Sequence, residues 1–209
     1  MMNKLEISLL AGFIASVLFA GVCSFADSYG NITGNVFRLH ILANSDSNED
    51  QELKLKLRDE ILKETAWIFK DSGSSAAAAV KAKENLAEIE NIAREALAES
   101  GYNYDVSCEV KDVYFPARVY GDITLPAGVY SALSVNIGEA KGQNWWCVMF
   151  PPLCIPAVTE KEIMIEDKDI LCGTFNTQEM QLLENPEKYE VKFYFAEMYH
   201  KLSGKDKIS

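Results

Sequence analysis

A chain of 209 residues is long enough for one ordinary domain with a sizeable core. Its 31 acidic residues outnumber its 20 basic ones, giving a formal net charge of -11. No stripe of lysine and arginine appears anywhere, which excludes nucleic acid as a partner, because phosphate binding draws on clustered cations.

The opening MMNKLEISLLAGFIASVLFAGVCSFAD holds one lysine, an apolar run from Ile7 to Val22, and Ser24-Phe25-Ala26 ahead of a charged residue. That is the plan of a secretory signal cut after Ala26. The basic start is weak, since Glu6 offsets Lys4, and a stretch of about 20 residues from Ile7 to Ala26 would also span a bilayer as an uncleaved helix. Residues 1–26 are therefore read first as a signal peptide and second as a membrane anchor. Ala20-Gly21-Val22 before Cys23 does not look like a lipoprotein signal. Either reading places the remainder outside the cytoplasm.

Export bears on the remaining cysteines, Cys108, Cys147, Cys154 and Cys172. Thiols tend to pair in such a compartment, and three pairings are open. Cys147–Cys154, closing a small loop around Pro151-Pro152, ranks first; buried free thiols are the alternative. The spacing does not match structural zinc.

Along the chain, VFRLHILA from Val36 alternates, with Phe37, Leu39 and Ile41 on one face and Arg38 and His40 on the other. It reads as a strand with one buried face. NSDSNEDQE ends it, and Ser47 followed by Asp50 resembles a capping box with aspartate in the acid position. A helix is predicted from about Glu49 to Phe69, with Leu53, Leu57, Ile61 and Ile68 on one face. Asp71 to Ser74 breaks the chain. A second helix carries Ala82, Leu86, Ile89, Ala93 and Ala96 as its stripe and stops at Gly101.

The period then changes from helix to strand. Tyr104, Val106, Cys108 and Val110 alternate with polar residues, and Leu133, Val135 and Ile137 alternate with smaller ones. Trp145 to Phe150 reads as the last strand of a hairpin, apolar on both faces. The fold class is α+β: a mostly antiparallel sheet of about four strands with two long helices packed on it, plus a C-terminal helical segment. The core domain is placed at residues 36–156 and a C-terminal extension at 157–209. Within that extension TQEMQLLEN is a short helix capped at Asn176 or Thr177, EKYEVKFYFAEMYHKL is read as a terminal helix in preference to a strand, and SGKDKIS as a frayed tail.

Catalytic constellations are not found. The chain has two histidines, His40 and His200, and no G-x-S-x-G, H-E-x-x-H or glycine-rich phosphate loop. A His40–Cys147 pair is conceivable, but oxidation of Cys147 would remove its nucleophile. Asn44 to Asp50 resembles the start of a calcium loop, yet Glu49 stands where glycine belongs and Leu55 where a bidentate glutamate belongs, so strand termination and helix capping account for it. No metal or cofactor is expected. YFPARVYGD, from Tyr114, gathers Phe115, Arg118, Tyr120 and Asp122 around a proline and a glycine, and aromatics with arginine are the usual anchors of protein interfaces.

Taken together, RLHILANSD from Arg38, Lys54 with Arg58-Asp59, YFPARVYGDITLPAG from Tyr114, SALSVNIG from Ser131 and GQNWWCVMFPPLC from Gly142 resemble the stage II sporulation protein R family. The resemblance spans about Val36 to Ile155. It implies a secreted signalling protein of endospore formers, exported from the forespore into the space between two membranes, where it activates a membrane-embedded peptidase that cuts the precursor of a mother-cell sigma factor. On that reading the chain is not an enzyme. Its partner-binding residues are expected among Arg38, His40, Tyr114, Arg118, Tyr120, Asp122, Trp145 and Trp146. Because a strand alternates its faces, one tryptophan is expected in the core and the other outward with Arg118 and Tyr120. An exported hydrolase acting on cell wall or peptide, and a structural envelope protein, are the alternatives.

Overall fold

The computed structural model of the chain describes residues 3–69, 71–153, 171–189, 193, 194, 196–198 and 202. It begins with one continuous helix, α1 (Lys4–Gly34), whose Asn3 and Glu6 form a reciprocal capping box. Leu5, Leu9, Phe13, Phe19 and Val22 are among its exposed apolar side chains, and it is long and apolar enough to cross a membrane. Its last turns belong to the domain. Phe25, Ser28 and Ile32 are buried, Tyr29 donates to the carbonyl of Ala127, and Phe25 meets Phe193 edge-on at 5.3 Å. A cut after Ala26 would fall between side chains that touch the core.

Next come β1 (Phe37–Leu42), α2 (Asn48–Glu64), α3 (Ala66–Phe69), α4 (Ser75–Glu84) and α5 (Leu86–Glu99). The first predicted helix thus ends early. The Thr65 hydroxyl returns to the carbonyl of Ile61 at 2.6 Å, and a single turn follows. The second is two helices meeting at Asn85, whose side-chain amide donates to the carbonyl of Lys81. Alanines at 78, 82 and 93 let these helices approach the sheet closely, while Leu57, Ile61, Ile89 and Leu97 fill the space between. Each such large side chain contributes roughly 1.5–3 kcal/mol on burial. Gly101, with φ 83°, turns the chain after α5 as expected.

The strands β2 (Val106–Phe115), β3 (Arg118–Tyr120), β4 (Ile123–Leu125), β5 (Gly128–Ile137) and β6 (Asn144–Phe150) follow. The main sheet has the order β2-β5-β1-β6, and β3 and β4 form a separate two-stranded hairpin. The sheet is mixed, which corrects the expectation of a mostly antiparallel one: β1 runs parallel to β5 and antiparallel to β6, while β2 and β5 are antiparallel. β5 and β6 are not paired as a hairpin either, because β1 lies between them. Periodicity gave strand identity, but not the order in which strands pair.

The reading of β1 as a strand with one buried face is overturned as well, since Phe37 to Ile41 are all buried, with a packed layer on each face of the sheet. One face of the sheet meets α2 to α5. The other meets the end of α1, the β3–β4 hairpin, and residues from beyond 156: Leu171, Phe175, Leu182 and Leu183. The last two lie on α6 (Thr177–Glu184), capped by Asn176 with Glu179 reciprocating. A 3-10 turn, Pro186–Tyr189, follows. The described residues of the terminal segment, 193, 194, 196–198 and 202, are helical. The tail SGKDKIS lies outside the described residues.

The two characters of α1 give a direct test. Ile32→Ala should destabilise the domain by about 2–5 kcal/mol, as loss of a buried branched side chain does. Val22→Ala should change stability by less than about 0.5 kcal/mol. Chemical denaturation of the full chain in mild detergent measures both.

Candidate functional site

Alternation along β6 sends its tryptophans to opposite faces of the sheet, and an arginine meets each one. Trp145 lies opposite Ile41 on the face covered by helices, with the Arg58 guanidinium of α2 4.5 Å from its ring. Trp146 lies opposite His40 on the other face, with the Arg118 guanidinium of β3 4.5 Å from its ring. Both indoles are half-buried. Arg58 is 1% exposed and holds Asp59 at 2.6 Å. Arg118 is exposed on the rim.

Between α2, β3 and the start of β6 lies an open groove of about 500 Å³, lined chiefly by Lys54, Arg118, Tyr120, Gln143, Trp145 and Trp146. Its far end is tied down by the loop after β1. Asp46 accepts from the Gln143 amide at 2.7 Å, Asn44 accepts from that of Glu139 at 3.0 Å, and Asp50 accepts from the Asn44 and Ser45 side chains. Ser47 caps α2 as expected, accepting from Asp50 N at 3.2 Å, but the Asp50 carboxylate braces the loop instead of closing the box. The fit is close enough to require glycine twice. A Cβ on Gly138, which has φ +55°, would approach Asn44 Oδ1 to 2.3 Å, and one on Gly142 would approach the Ser45 carbonyl to 2.2 Å.

Behind the groove, Arg38 and His40 are 0% and 1% exposed, so neither offers a contact surface. This corrects their placement on an outward face, and the cause is the second core layer, which covers that face of β1. The Arg38 guanidinium lies 4.0 Å from the centre of the Phe115 ring and 4.8 Å from that of Tyr130. It donates to Tyr120 Oη and to the Cys147 carbonyl. Burial holds its pKa below the usual range and raises that of Tyr120, against the pull of Arg38. Arg38 therefore positions Tyr120 on the groove wall. His40 stacks on Trp146 with ring planes 7° apart, and its Nε2 and Nδ1 face Asn144 and Ser134. Its pKa lies below 6.5, first because it is buried and also because Lys111 is near, with the Asn144 bond opposing.

Tyr114 is half-buried opposite Val129, and Asp122 is exposed in the turn between β3 and β4. Neither lines the groove. Of the expected contact residues, Arg118, Tyr120, Trp145 and Trp146 come together there. Lys54 and Arg58 were absent from that expectation, although their four-residue spacing on a helix adjoining an aromatic strand was a signal for them. Cys147 is disulfide-bonded, while Cys23, Cys108 and Cys172 are free; its expected partner Cys154 lies outside the described residues. Burial, with Glu90 nearby, pushes the Cys108 thiol up to about 12, which makes it a poor nucleophile. No cluster of metal-ligating side chains occurs among the described residues.

The profile of a family described as Stage II sporulation protein R matches residues 33–160. Stage II sporulation protein R of Bacillus subtilis (strain 168) is 37% identical over 181 residues, covering 79% of this chain and 80% of that protein. The chain belongs to the stage II sporulation protein R family. No solved structure matches it. The family span contains every strand among the described residues and the whole groove. The docked end of α1, apart from Thr33 and Gly34, and the α6 segment lie outside the matched residues.

Two outcomes follow. His40 resists protonation when folded, so the unfolded chain binds more protons below its usual pKa of 6.5. The stability due to its neutral form is complete above that value and is lost as pH falls toward the lowered folded pKa. His40→Gln should flatten the dependence of the denaturation midpoint between about pH 7 and 5. Alkylation of denatured, unreduced protein should mark Cys23, Cys108 and Cys172 and spare Cys147; labelled Cys147 would remove the bond.

Proposed function

We propose that this sporulation protein is an exported signal that activates a membrane-embedded peptidase, triggering processing of a mother-cell sigma factor precursor. Its place would be the space outside the forespore membrane, with α1 either cleaved or retained as an anchor. The observation that carries this reading is the arginine-backed tryptophan pair beside an open groove. It is a braced, half-exposed aromatic surface of the kind that anchors protein contacts. The docked end of α1 favours retention over cleavage, because Phe25 lies in the core before the candidate cut.

A hydrolase reading would need a base and a nucleophile. The imidazole of His40 is stacked and hydrogen-bonded in the interior. Cys147, on the opposite face of the sheet, is disulfide-bonded. An activator needs neither, only a better fit to the active form of its target than to the inactive one.

The test mixes the full chain, in membranes carrying the peptidase and its substrate precursor, and follows precursor cleavage. Cleavage should depend on the added chain and fall with Arg118→Glu. His40→Gln should lower it by less than about tenfold, whereas loss of a general base costs about 10²–10⁴-fold. No cleavage with a folded wild-type chain would remove the activator reading.

A further inference from the structure

The groove is cationic in an acidic protein. Lys54 and Arg118 line it together with Gln51, Gln143 and both tryptophans, and no carboxylate does, although acidic residues outnumber basic ones 31 to 20 in the chain. Lys54 is 4% exposed. Its ammonium donates to two neutral oxygens, Gln51 Oε1 and the Gln143 carbonyl at 2.9 Å. Among the described residues neither Lys54 nor Arg118 forms an ion pair. Asp46 is the carboxylate whose charge Lys54 feels, and it is occupied by the Gln143 amide. An ammonium largely withdrawn from water, whose one nearby carboxylate is already engaged elsewhere, is held at an electrostatic cost, so this position favours an anion that arrives from outside.

Two further observations define the shape of that anion's carrier. Trp145 Nε1 is buried with no acceptor, leaving an unused donor on a lining residue. Among the described residues β6 is the last strand of the sheet, with β1 as its one strand neighbour. A last strand is a template for an added one. Beside the polar Tyr120 and Asn144, the lining offers apolar surface through Leu55, Val119 and the two indoles, which suits side chains more than a free inorganic ion.

We propose that this groove receives an extended acidic segment of a protein partner, with one Asp or Glu carboxylate held between Lys54 and Arg118 and apolar neighbours against Trp145 and Trp146. The inference deepens the activator reading and rests on it for the partner's identity. The chemistry of the groove stands apart from that identity. The exposed guanidinium steers the segment in, and the buried ammonium discriminates carboxylate from amide, because an amide leaves its charge uncompensated.

Selection from a random heptapeptide library on the full chain in mild detergent tests the proposal without assuming a partner. Selected peptides should be enriched in Asp or Glu at one position by at least about tenfold, equivalent to about 1.4 kcal/mol. Inorganic phosphate should compete poorly. The enrichment should vanish on Lys54→Met and on Arg118→Glu. If Lys54→Met does not fold, the exposed Arg118→Glu carries the comparison alone. Selection without acidic enrichment, no selection above that seen with Arg118→Glu, or full displacement by phosphate would overturn the proposal. Precursor activation together with any of those outcomes removes this inference and leaves the activator reading standing. Acidic enrichment without activation does the reverse.

Discussion

The structure depends on β1 lying between β5 and β6. With helices packed on one face of the sheet and the end of α1, the β3–β4 hairpin and α6 on the other, this central strand is covered on both faces, so its alternation cannot sort residues into core and solvent. Arg38 and His40 must then be solvated by the protein itself. The guanidinium lies between the faces of aromatic rings and donates to Tyr120 and to the backbone of β6. The imidazole stacks on Trp146 and meets Asn144 and Ser134. These contacts hold the outer strand and the β3–β4 hairpin in one arrangement. The buried polar residues of β1 thereby shape a groove they do not line.

The two adjacent tryptophans make sense on that frame. They face opposite sides of a strand, and each is braced by an arginine from a different element, α2 on one side and β3 on the other. A cation over an indole is worth roughly 0.5–2 kcal/mol, more as water is excluded. The greater consequence is conformational. Rings already held in place lose little freedom when a partner arrives, which lowers the entropic cost of contact. The loop after β1, built from short polar side chains, fastens the end of the same groove through Asp46 and Asn44.

The N-terminal helix couples this surface to a membrane-compatible segment. At about 1.5 Å per residue, α1 is a rod of roughly 45 Å, with an apolar exposed portion through Val22 and a docked portion from Phe25. No loop separates the two portions. With the exposed portion in a bilayer, the domain is held within a turn or two of its surface, and the groove keeps a restricted orientation to any target in the same membrane.

By itself the sequence determined the four strands of the main sheet, though not the short β3–β4 hairpin, together with the capped starts of α2 and α6, the helix stop at Gly101, the long apolar helix and the family, because these rest on local signals: period, caps, turn residues and contiguous motifs. Only the tertiary structure decided that β1 splits β5 from β6, and that Arg38 and His40 are interior. It also decided that Lys54 and Arg58 reach across to β6, and that residues beyond 156 complete the second core layer. Strand order is set by which apolar faces find covers, and that is a property of the assembled layers, not of any segment. The alternation in RLHIL looks the same whether one face of its strand is covered or both. The pairing of Trp145 with Arg58 and of Trp146 with Arg118 joins residues 87 and 28 positions apart in sequence, a separation over which no local pattern carries information.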